Sequence, residues 1–209
     1  MLHKIMKEVT PLKIAAIAGS NANHSYNRML LEFIAKQYKD TDEVDVIDIR
    51  DVPMFNENYK GRASKVIADL DQRIGSADAV NIASPEYNHS ITSALKSVVE
   101  WLSYEVHPLE NKPVMIVGAS THEQGSSRSQ VQLRDILISP GVNAQVYQGS
   151  EFFMSDVANV IDEDGNITDE MSIKFLDKCI DDFKIYARSI NRMVEERAAE
   201  AAKKEAAKD

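Results

Sequence analysis

A dense set of groups that could do chemistry lies at residues 84–90, with the sequence S-P-E-Y-N-H-S. It combines a carboxylate, a phenol, an amide and an imidazole. An apolar run at residues 79–83 precedes it, and a helix-patterned run at 91–102 follows it. The apolar run is typical of a buried parallel strand, and ligands bind at the carboxyl ends of such strands in α/β sheets. The sequence therefore predicts a site for a flat, hydrogen-bonding ligand at this turn.

A second polar loop, at residues 19–27, joins the first apolar run to the first helix-patterned run. Gly19 lets the backbone turn sharply. Ser20, Ser25 and Asn27 carry side chains that can donate hydrogen bonds, and the free N–H groups at a helix start favour an anion. This loop predicts a phosphate cradle that needs few positive charges. Taken alone, it fits equally well an interpretation in which Ser25 only caps the helix.

Three other classes of phosphate-binding protein lack support in the sequence. The loop at 19–27 has no G-x-G-x-x-G of a dinucleotide-binding Rossmann unit and no G-x-x-x-x-G-K-[ST] of a nucleotide-binding P-loop. The end of the first strand has no acidic cluster, which a phosphoryl-accepting receiver domain needs to hold Mg²⁺.

A third small-residue loop follows the fourth apolar run and reaches the same predicted edge of the sheet. Gly118 and Ser120 allow close backbone approach, so their N–H groups could meet the carbonyl oxygens of a planar ring. Arg128 opens the next helix, and the sequence leaves open whether it lies on the free surface or in a subunit interface.

The elements that position these loops alternate between strand and helix. Strands are predicted at residues 13–18, 44–49, 79–83, 113–117 and 144–147, with amphipathic helices between them. This alternation predicts an α/β fold, a flavodoxin-like doubly wound five-stranded parallel sheet of order 2-1-3-4-5 with helices on both faces. A long helix is expected at 168–194, with Thr168 as its N-cap. The expected divisions are an N-terminal extension (1–11), one domain (12–194) and a polar helical or frayed tail (195–209).

Composition narrows the classes of partner. The chain has 209 residues, 44% of them hydrophobic, and a formal net charge of -9, which argues against nucleic acid as a partner. With one cysteine, Cys179, the chain can form no internal disulfide and no Cys-rich metal site. A single cysteine fits a reducing cytoplasm. We expect Cys179 to be a buried, inert thiol. No stretch is patterned like a signal peptide or a membrane span.

The chain resembles the NAD(P)H-dependent FMN reductase family, a flavodoxin-fold group that also includes quinone, azo-dye and chromate reductases. The resemblance runs from about Lys13 to the C-terminal helix. The stretches that carry it are G-S at 19–20, S-Y-N-R at 25–28, D-V-P-M-F-N at 51–56, S-P-E-Y-N at 84–88, A-L-K-S-V-V-E-W at 94–101, G-A-S at 118–120 and R-S-Q-V-Q-L-R at 128–134.

The resemblance implies a role for each loop in binding FMN. The implied phosphate ligands are Ser20, Ser25 and Asn27. The implied neighbours of the ribityl chain and the isoalloxazine ring are Pro85, Glu86, Tyr87 and Asn88, with Ser120 on the opposite side of the ring. NADPH or NADH would supply two electrons, and a quinone, azo compound, metal ion or free flavin would accept them. The resemblance implies a homodimer or homotetramer, no catalytic side chain and no metal ligand.

The sequence also departs from the family pattern. Ala22 stands where many members place an arginine near the phosphate, which implies weaker FMN binding or a charge supplied by another group. Thr92 replaces a common proline early in a helix. His122 and Ser126 replace glycines of the third loop, and a side chain at either position could narrow the space over the ring.

Two alternatives remain open at this stage. One is a flavodoxin-like electron carrier that binds FMN without turning over a nicotinamide nucleotide. The other is a domain that has lost the cofactor. For Glu86, the favoured interpretation is a polar contact or loop brace and not a general base. His89 and His122 are expected either in water at the rim or against a ligand, and Trp101 in the core or an interface.

Overall fold

Small and β-branched apolar residues form the strands at the centre of the fold. A computed structural model describes residues 10–59 and 65–207 of the chain. The strands β1 (Lys13–Ala18), β3 (Ala79–Ala83) and β4 (Pro113–Ala119) are almost entirely buried, whereas β2 (Glu43–Asp48) is half-buried. Strands buried on both faces need helices on both sides, which is why their sequences run apolar without alternation.

The sheet is parallel throughout and has the order β2-β1-β3-β4-β5, as the sequence predicts. The edge strand differs from the prediction of a single strand at 144–147. It consists of β5 (Gln145–Val146) on the first half of β4 and β6 (Phe152–Met154) on the second half. Between them residues 147–151 leave the sheet, and the Tyr147 side chain lies over Gly149, where a Cβ would be 1.9 Å from its hydroxyl.

Helices cover the two faces in separate layers. The described helices are α1 (Tyr26–Tyr38), α2 (Lys65–Gly75), α3 (Ser93–Tyr104), α4 (Ser127–Leu137), the short α5 (Val157–Val160) and α6 (Glu170–Ala206). Apolar stripes of α2, α3 and α4 bury one face of the sheet, and those of α1 and α6 bury the other. The doubly wound architecture is therefore confirmed. Most of the expected N-terminal extension lies outside the described residues.

The last helix begins later than the sequence predicts, and the tail, for which the sequence predicts a helical or frayed form, is helical. Its N-cap is Asp169, whose side chain accepts a backbone N–H of the first turn, and not Thr168. The helix then continues to Ala206, and residues 195–207 are exposed. Alanine, glutamate and lysine extend a helix already nucleated by packing, because they have high helix propensity. Within the described part of the chain, no helix is both long and apolar enough to cross a membrane.

A buried ion pair fixes α6 to the N-terminal ends of β1 and β2. Asp42, with a side chain 1% exposed, pairs with Lys184 of α6 and also accepts a hydrogen bond from the Leu12 N–H at 3.0 Å. Nearby, the Tyr38 hydroxyl donates to Asp177 at 2.5 Å. Removing one partner of such a pair is costly because the other charge stays buried.

Trp101 lies in the core, one of the two places that the sequence allows. It is 3% exposed, its Nε1–H donates to the Pro53 carbonyl at 2.8 Å, and the Phe55 ring packs edge-on at 5.0 Å. The Phe55 N–H donates to Ser97 at 2.5 Å. The loop after β2 is therefore fixed to α3 rather than to the ligand-binding edge.

Candidate functional site

Three loops meet at the carboxyl ends of β1, β3 and β4. We call them the first loop (residues 19–25), the second loop (84–92) and the third loop (118–126). A cleft of about 520 Å³ lies among all three, and a cleft of about 700 Å³ lies between the second and third. The residues that line both are Glu86, Asn88, Ser120, Thr121 and His122. The clefts thus form one continuous groove.

All eight residues that the sequence predicts as FMN neighbours line the smaller cleft. They are Ser20, Ser25, Asn27, Pro85, Glu86, Tyr87, Asn88 and Ser120. The structure therefore brings together groups that lie up to about a hundred positions apart in the chain. The individual roles implied for them remain predictions.

The first loop ends in a helix N-terminus that faces the groove. Ser25 is the N-cap of α1, and its side chain accepts the Arg28 N–H at 3.2 Å. The N–H groups of Tyr26 and Asn27 precede the first intrahelical bond, so α1 itself provides no acceptor for them. Ser20 accepts the Ala22 N–H at 3.1 Å, which curls the loop around this point. Such an arrangement suits a phosphate.

Gly19 is required where β1 leaves the sheet. A Cβ there would lie 2.6 Å from the Ala83 carbonyl oxygen and 2.9 Å from the Leu95 side chain. The Gly19 N–H donates to that same carbonyl at 2.8 Å. The first loop can therefore pass directly beside the second only because this residue has no side chain.

Thr92, at the end of the second loop, links that loop to the first by a hydrogen bond. Its hydroxyl donates to the Gly19 carbonyl at 2.7 Å and accepts the Leu95 N–H at 3.0 Å as the N-cap of α3. A proline, common at this position in the family that the sequence resembles, has no hydroxyl and cannot make either bond. The departure thus adds a link between loops.

The side chain of Asn27 has a partner other than the one that the sequence predicts. Both ends of its amide bond to the backbone of Ala119, at the end of β4. These two hydrogen bonds join α1 to the start of the third loop. The backbone N–H of Asn27 is a further group that can face the groove, and the role of its side chain at the phosphate stays a prediction.

Arg28 supplies the positive charge near the first loop, and the sequence interpretation gave it no role. Its guanidinium donates to the carbonyls of Ala22 at 2.8 Å and Asn23 at 3.1 Å, and lies 3.4 Å from Asp48. Arg28 braces the loop from behind. The only sequence signal was its place at the end of S-Y-N-R.

The second loop contains a tight turn with a left-handed backbone. Tyr87 and Ser90 exchange two backbone hydrogen bonds of 2.9 and 3.0 Å, and the central residues Asn88 and His89 have φ of 52° and 62°. Positive φ at both central positions is the type I′ geometry. The turn leaves the Tyr87 side chain 55% exposed at the rim, where it can pack on a planar ligand.

Glu86 braces the third loop, in agreement with the favoured interpretation. Its Oε2 accepts the N–H groups of Arg128 at 3.0 Å and Ser129 at 3.3 Å, and its Oε1 lies 3.6 Å from the Arg128 guanidinium. The N-cap residue of α4, Ser126, has φ of 81° and makes no side-chain cap bond. A carboxylate from the second loop therefore takes the place of the missing cap.

The third loop is tightly packed at Gly118, next to the sheet, and exposed at His122, at the mouth of the groove. Gly118 has no room for a side chain, because a Cβ would lie 1.8 Å from the Ser126 hydroxyl. Ser126 is buried and accepts a hydrogen bond from Gln130, and it is also one of the residues that line the larger cleft, so its effect on the width of the groove stays a prediction. His122 is exposed at the mouth, where its side chain can narrow the groove.

The donor set fits FMN. N–H groups of a helix N-terminus and serine hydroxyls lie at one end of the groove, and the groove is flanked along its length by the second and third loops. A phosphate, a polyol chain and a flat ring need these features in this order. The fold and this donor set define a flavodoxin-like flavin-binding protein.

The comparison with known families agrees with this class. The model of the family described as NADPH-dependent FMN reductase matches residues 12–159. The chain belongs to this family. It is therefore an oxidoreductase that uses FMN and a nicotinamide nucleotide, which favours the enzyme over the electron-carrier alternative.

Named relatives extend over most of the chain. The NADH:(hydroxy)cinnamate reductase subunit CrdA of Vibrio ruber is 38% identical over 87% of this chain and 90% of its own length. The NADH-dependent flavin reductase subunit 2 of Lactobacillus johnsonii is 37% identical over 82% and 95%. A similar solved structure is that of FerB, a flavoenzyme NAD(P)H:(acceptor) oxidoreductase of Paracoccus denitrificans. The two chains superpose with a TM-score of 0.77 and 27% sequence identity, and the match covers 85% of this chain and 98% of FerB.

Proposed function

We propose that this enzyme moves two electrons from NADH or NADPH through FMN to a small acceptor such as a quinone, an azo compound, a metal ion or free flavin. The observation that carries the proposal is the single groove among three loops. The groove has an anion site at its α1 end and an open mouth beside His89 and His122. An open mouth lets donor and acceptor use the same space in turn.

The chain's own groups bind and orient in this scheme. Ser20, Ser25 and the backbone N–H groups of Tyr26 and Asn27 hold the phosphate. Arg28 stabilises that loop and contributes positive charge from behind it. Because these hydrogen bonds hold the loop in place before the ligand binds, binding requires little further ordering of the loop.

The ring end of the groove is formed by the second and third loops. Pro85, Glu86, Tyr87 and Asn88 flank one side, and Ser120 flanks the other. Bound FMN supplies the two-electron chemistry, and the protein supplies orientation and electrostatics. The Ser120 N–H donates to the Met154 carbonyl and the His122 N–H to the Ser120 hydroxyl, so they are not the donors to the ring that the sequence predicts. The Thr121 N–H between them is the group of the third loop that stabilises negative charge on the ring in this scheme, with no side chain as a general acid or base.

Assembly is a further part of the proposal. Two relatives are described as subunits, so a heteromeric reductase is a second candidate, in which the acceptor is reached through a partner chain. A homodimer or homotetramer is the simpler assembly. Met54, 61% exposed beside the fixed Phe55, offers an apolar anchor for it. The single buried cysteine fits the cytoplasm.

An anaerobic absorbance titration with NADH and with NADPH tests the proposal. The FMN-loaded protein should lose its flavin absorbance with about one equivalent of donor and regain it when a quinone is added. Ser120→Phe should fold but fail to retain FMN, because its side chain fills the ring space. Persistent oxidised absorbance with both donors, in protein that retains FMN, would refute nicotinamide-dependent turnover.

A further inference from the structure

The end of the groove that fits a phosphate has no lysine or arginine among its described residues. Neither type occurs at positions 19–27 or elsewhere in the described lining of the smaller cleft. The lining side chains that can become positive are His24 and His122. His122 also lines the larger cleft, at the mouth, whereas His24 lines the smaller cleft alone. A phosphate monoester carries about 1.5 to 2 negative charges at neutral pH, so positive charge at this end favours its binding.

Arg28 does not meet the phosphate directly. Its side chain is 12% exposed, and it is not among the residues that line either cleft. The guanidinium donates to the carbonyls of Ala22 and Asn23 and lies 3.4 Å from the Asp48 carboxylate. Asp48 therefore offsets part of the charge that Arg28 contributes from behind the loop. A cation in front of the loop has to come from another side chain.

His24 is held beside the free N–H groups of α1. It directly precedes the N-cap Ser25, and its imidazole packs edge-on against the Tyr26 ring, with centroids 4.8 Å apart and an interplanar angle of 80°. His24, Ser25, Tyr26 and Asn27 all line the smaller cleft. Because His24 is exposed, its imidazole can exchange a proton with solvent. The contact with Tyr26 keeps the ring next to the point where an anion would be bound.

We infer that His24 binds the FMN phosphate in its protonated form, so that retention of FMN depends on pH. A protonated imidazole donates a charge-assisted hydrogen bond to a phosphate oxygen, which a neutral one cannot match. Histidine gains its positive charge as the pH falls through the range just below neutrality. The contribution of His24 to FMN affinity is therefore present at the lower pH and lost as the pH rises. The inference rests on the proposed function, because it takes the α1 end of the groove as the phosphate site.

Other ionisable groups surround this end of the groove. Those that line the smaller cleft together with His24 are Tyr26, Glu86, Tyr87 and His122. A phenol is neutral near neutral pH. The Glu86 carboxylate is bound by the first N–H groups of α4 and by the Arg128 guanidinium, and behind the loop Arg28 faces Asp48. His122 is therefore the lining group that most needs a control.

Titration of the flavin-free, full-length protein with FMN and with riboflavin, followed by flavin fluorescence, tests the inference, because riboflavin lacks the phosphate. The ratio of the riboflavin Kd to the FMN Kd should rise about fivefold from pH 8.5 to pH 6.5, and less at high salt. His24→Gln should abolish this rise. His24→Lys should give a high ratio at both pH values, because lysine is charged at both.

His122→Gln is the matched control. It removes the other histidine of the smaller cleft and should keep the rise in the ratio. The FMN phosphate itself takes up a proton near pH 6, but the free ligand does so identically in every titration. The comparison between variants therefore isolates the side chain at position 24. Loosening of the loop by substitution would lower FMN affinity equally at both pH values and would not be rescued by lysine.

The outcomes separate this inference from the function on which it rests. Equal Kd values for FMN and riboflavin in the unaltered protein would overturn the phosphate site at α1. A ratio above one with the same pH dependence in His24→Gln as in the unaltered protein would overturn the role of His24 and leave that site intact. Loss of the rise in His122→Gln would also overturn it. Failure of NADH and NADPH to reduce the bound flavin would refute turnover without touching the role of His24.

Discussion

The side-chain amide of Asn27 pairs with both backbone polar groups of Ala119. Its Nδ2 donates to the Ala119 carbonyl at 2.9 Å, and its Oδ1 accepts the Ala119 N–H at 3.0 Å. Both residues are buried. This pair joins the first turn of α1 to the end of β4, so it sets the distance between the first and third loops.

Replacing Asn27 by Ala should destabilise the protein even without FMN. Two buried backbone groups would lose their partners, and the free energy of unfolding should fall by about 2–4 kcal/mol. Urea unfolding of the FMN-free protein measures this. Asn23→Ala, at an exposed position in the first loop just before α1, should change it by less than about 0.5 kcal/mol. Unchanged stability with weakened FMN binding would instead restore the role of Asn27 as a direct phosphate ligand.

This pair also shows where sequence-based prediction ends. Strand and helix periodicity predicts which loops meet, because the carboxyl ends of parallel strands lie at one edge of a sheet. That is why all eight expected residues line one cleft. The direction of the Asn27 side chain depends on a strand end 92 positions away, and no local pattern encodes it.

Other differences have separate physical causes. Glu86 caps a helix 42 positions away, which depends on the spacing of two loops rather than on the P-E-Y-N motif. The edge strand divides at residues 147–151, where the Tyr147 ring packs against Phe183 and Tyr186 of α6, and such long-range contacts have no local sequence signal. The helical form of the tail beyond residue 194 is one of the two forms that the sequence predicts, and it follows from helix propensity even though the apolar stripe ends there.

Replacing His89 by Gly should stabilise the protein. His89 has φ of 62° in the turn of the second loop, a region that costs a side-chain-bearing residue about 1 kcal/mol and costs glycine nothing. The midpoint of urea unfolding should rise accordingly. His122→Gly serves as the control, because His122 is not among the residues with left-handed backbone and should give no such gain. An equal effect at both positions would show that strain in the turn is not the cause.

Replacing Thr92 by Val should loosen the first two loops together. The variant keeps the shape of the buried side chain but loses the bond to the Gly19 carbonyl and the cap on the Leu95 N–H. We expect a loss of about 2 kcal/mol in the free energy of unfolding, together with weaker FMN retention. Thr92→Ser keeps the hydroxyl and should recover most of both quantities. If Ser behaves like Val, the hydroxyl is not what matters.

Cys179 should be unreactive in the folded protein. The thiol is buried in the packing of α6 against the sheet, as the sequence led us to expect, and burial raises its pKa from 9.0 to about 11. The thiolate is the reactive form, so both access and ionisation oppose modification. Labelling with a thiol reagent at pH 8 should proceed only as denaturant unfolds the chain. Rapid labelling of the native protein would contradict the packing of α6.

The same raised pKa makes a prediction about alkaline stability. Because the folded protein favours the neutral thiol, this group stabilises the fold below the unfolded pKa of 9.0, and the contribution is lost as pH rises through about 11. The free energy of unfolding should therefore fall more steeply between these pH values in the unaltered protein than in Cys179→Ala. Tyr38 and Tyr186, whose pKa values burial also raises, titrate in both proteins, so the difference between the two slopes isolates the thiol. Equal slopes would mean that the thiol ionises as easily in the folded chain as in the unfolded one.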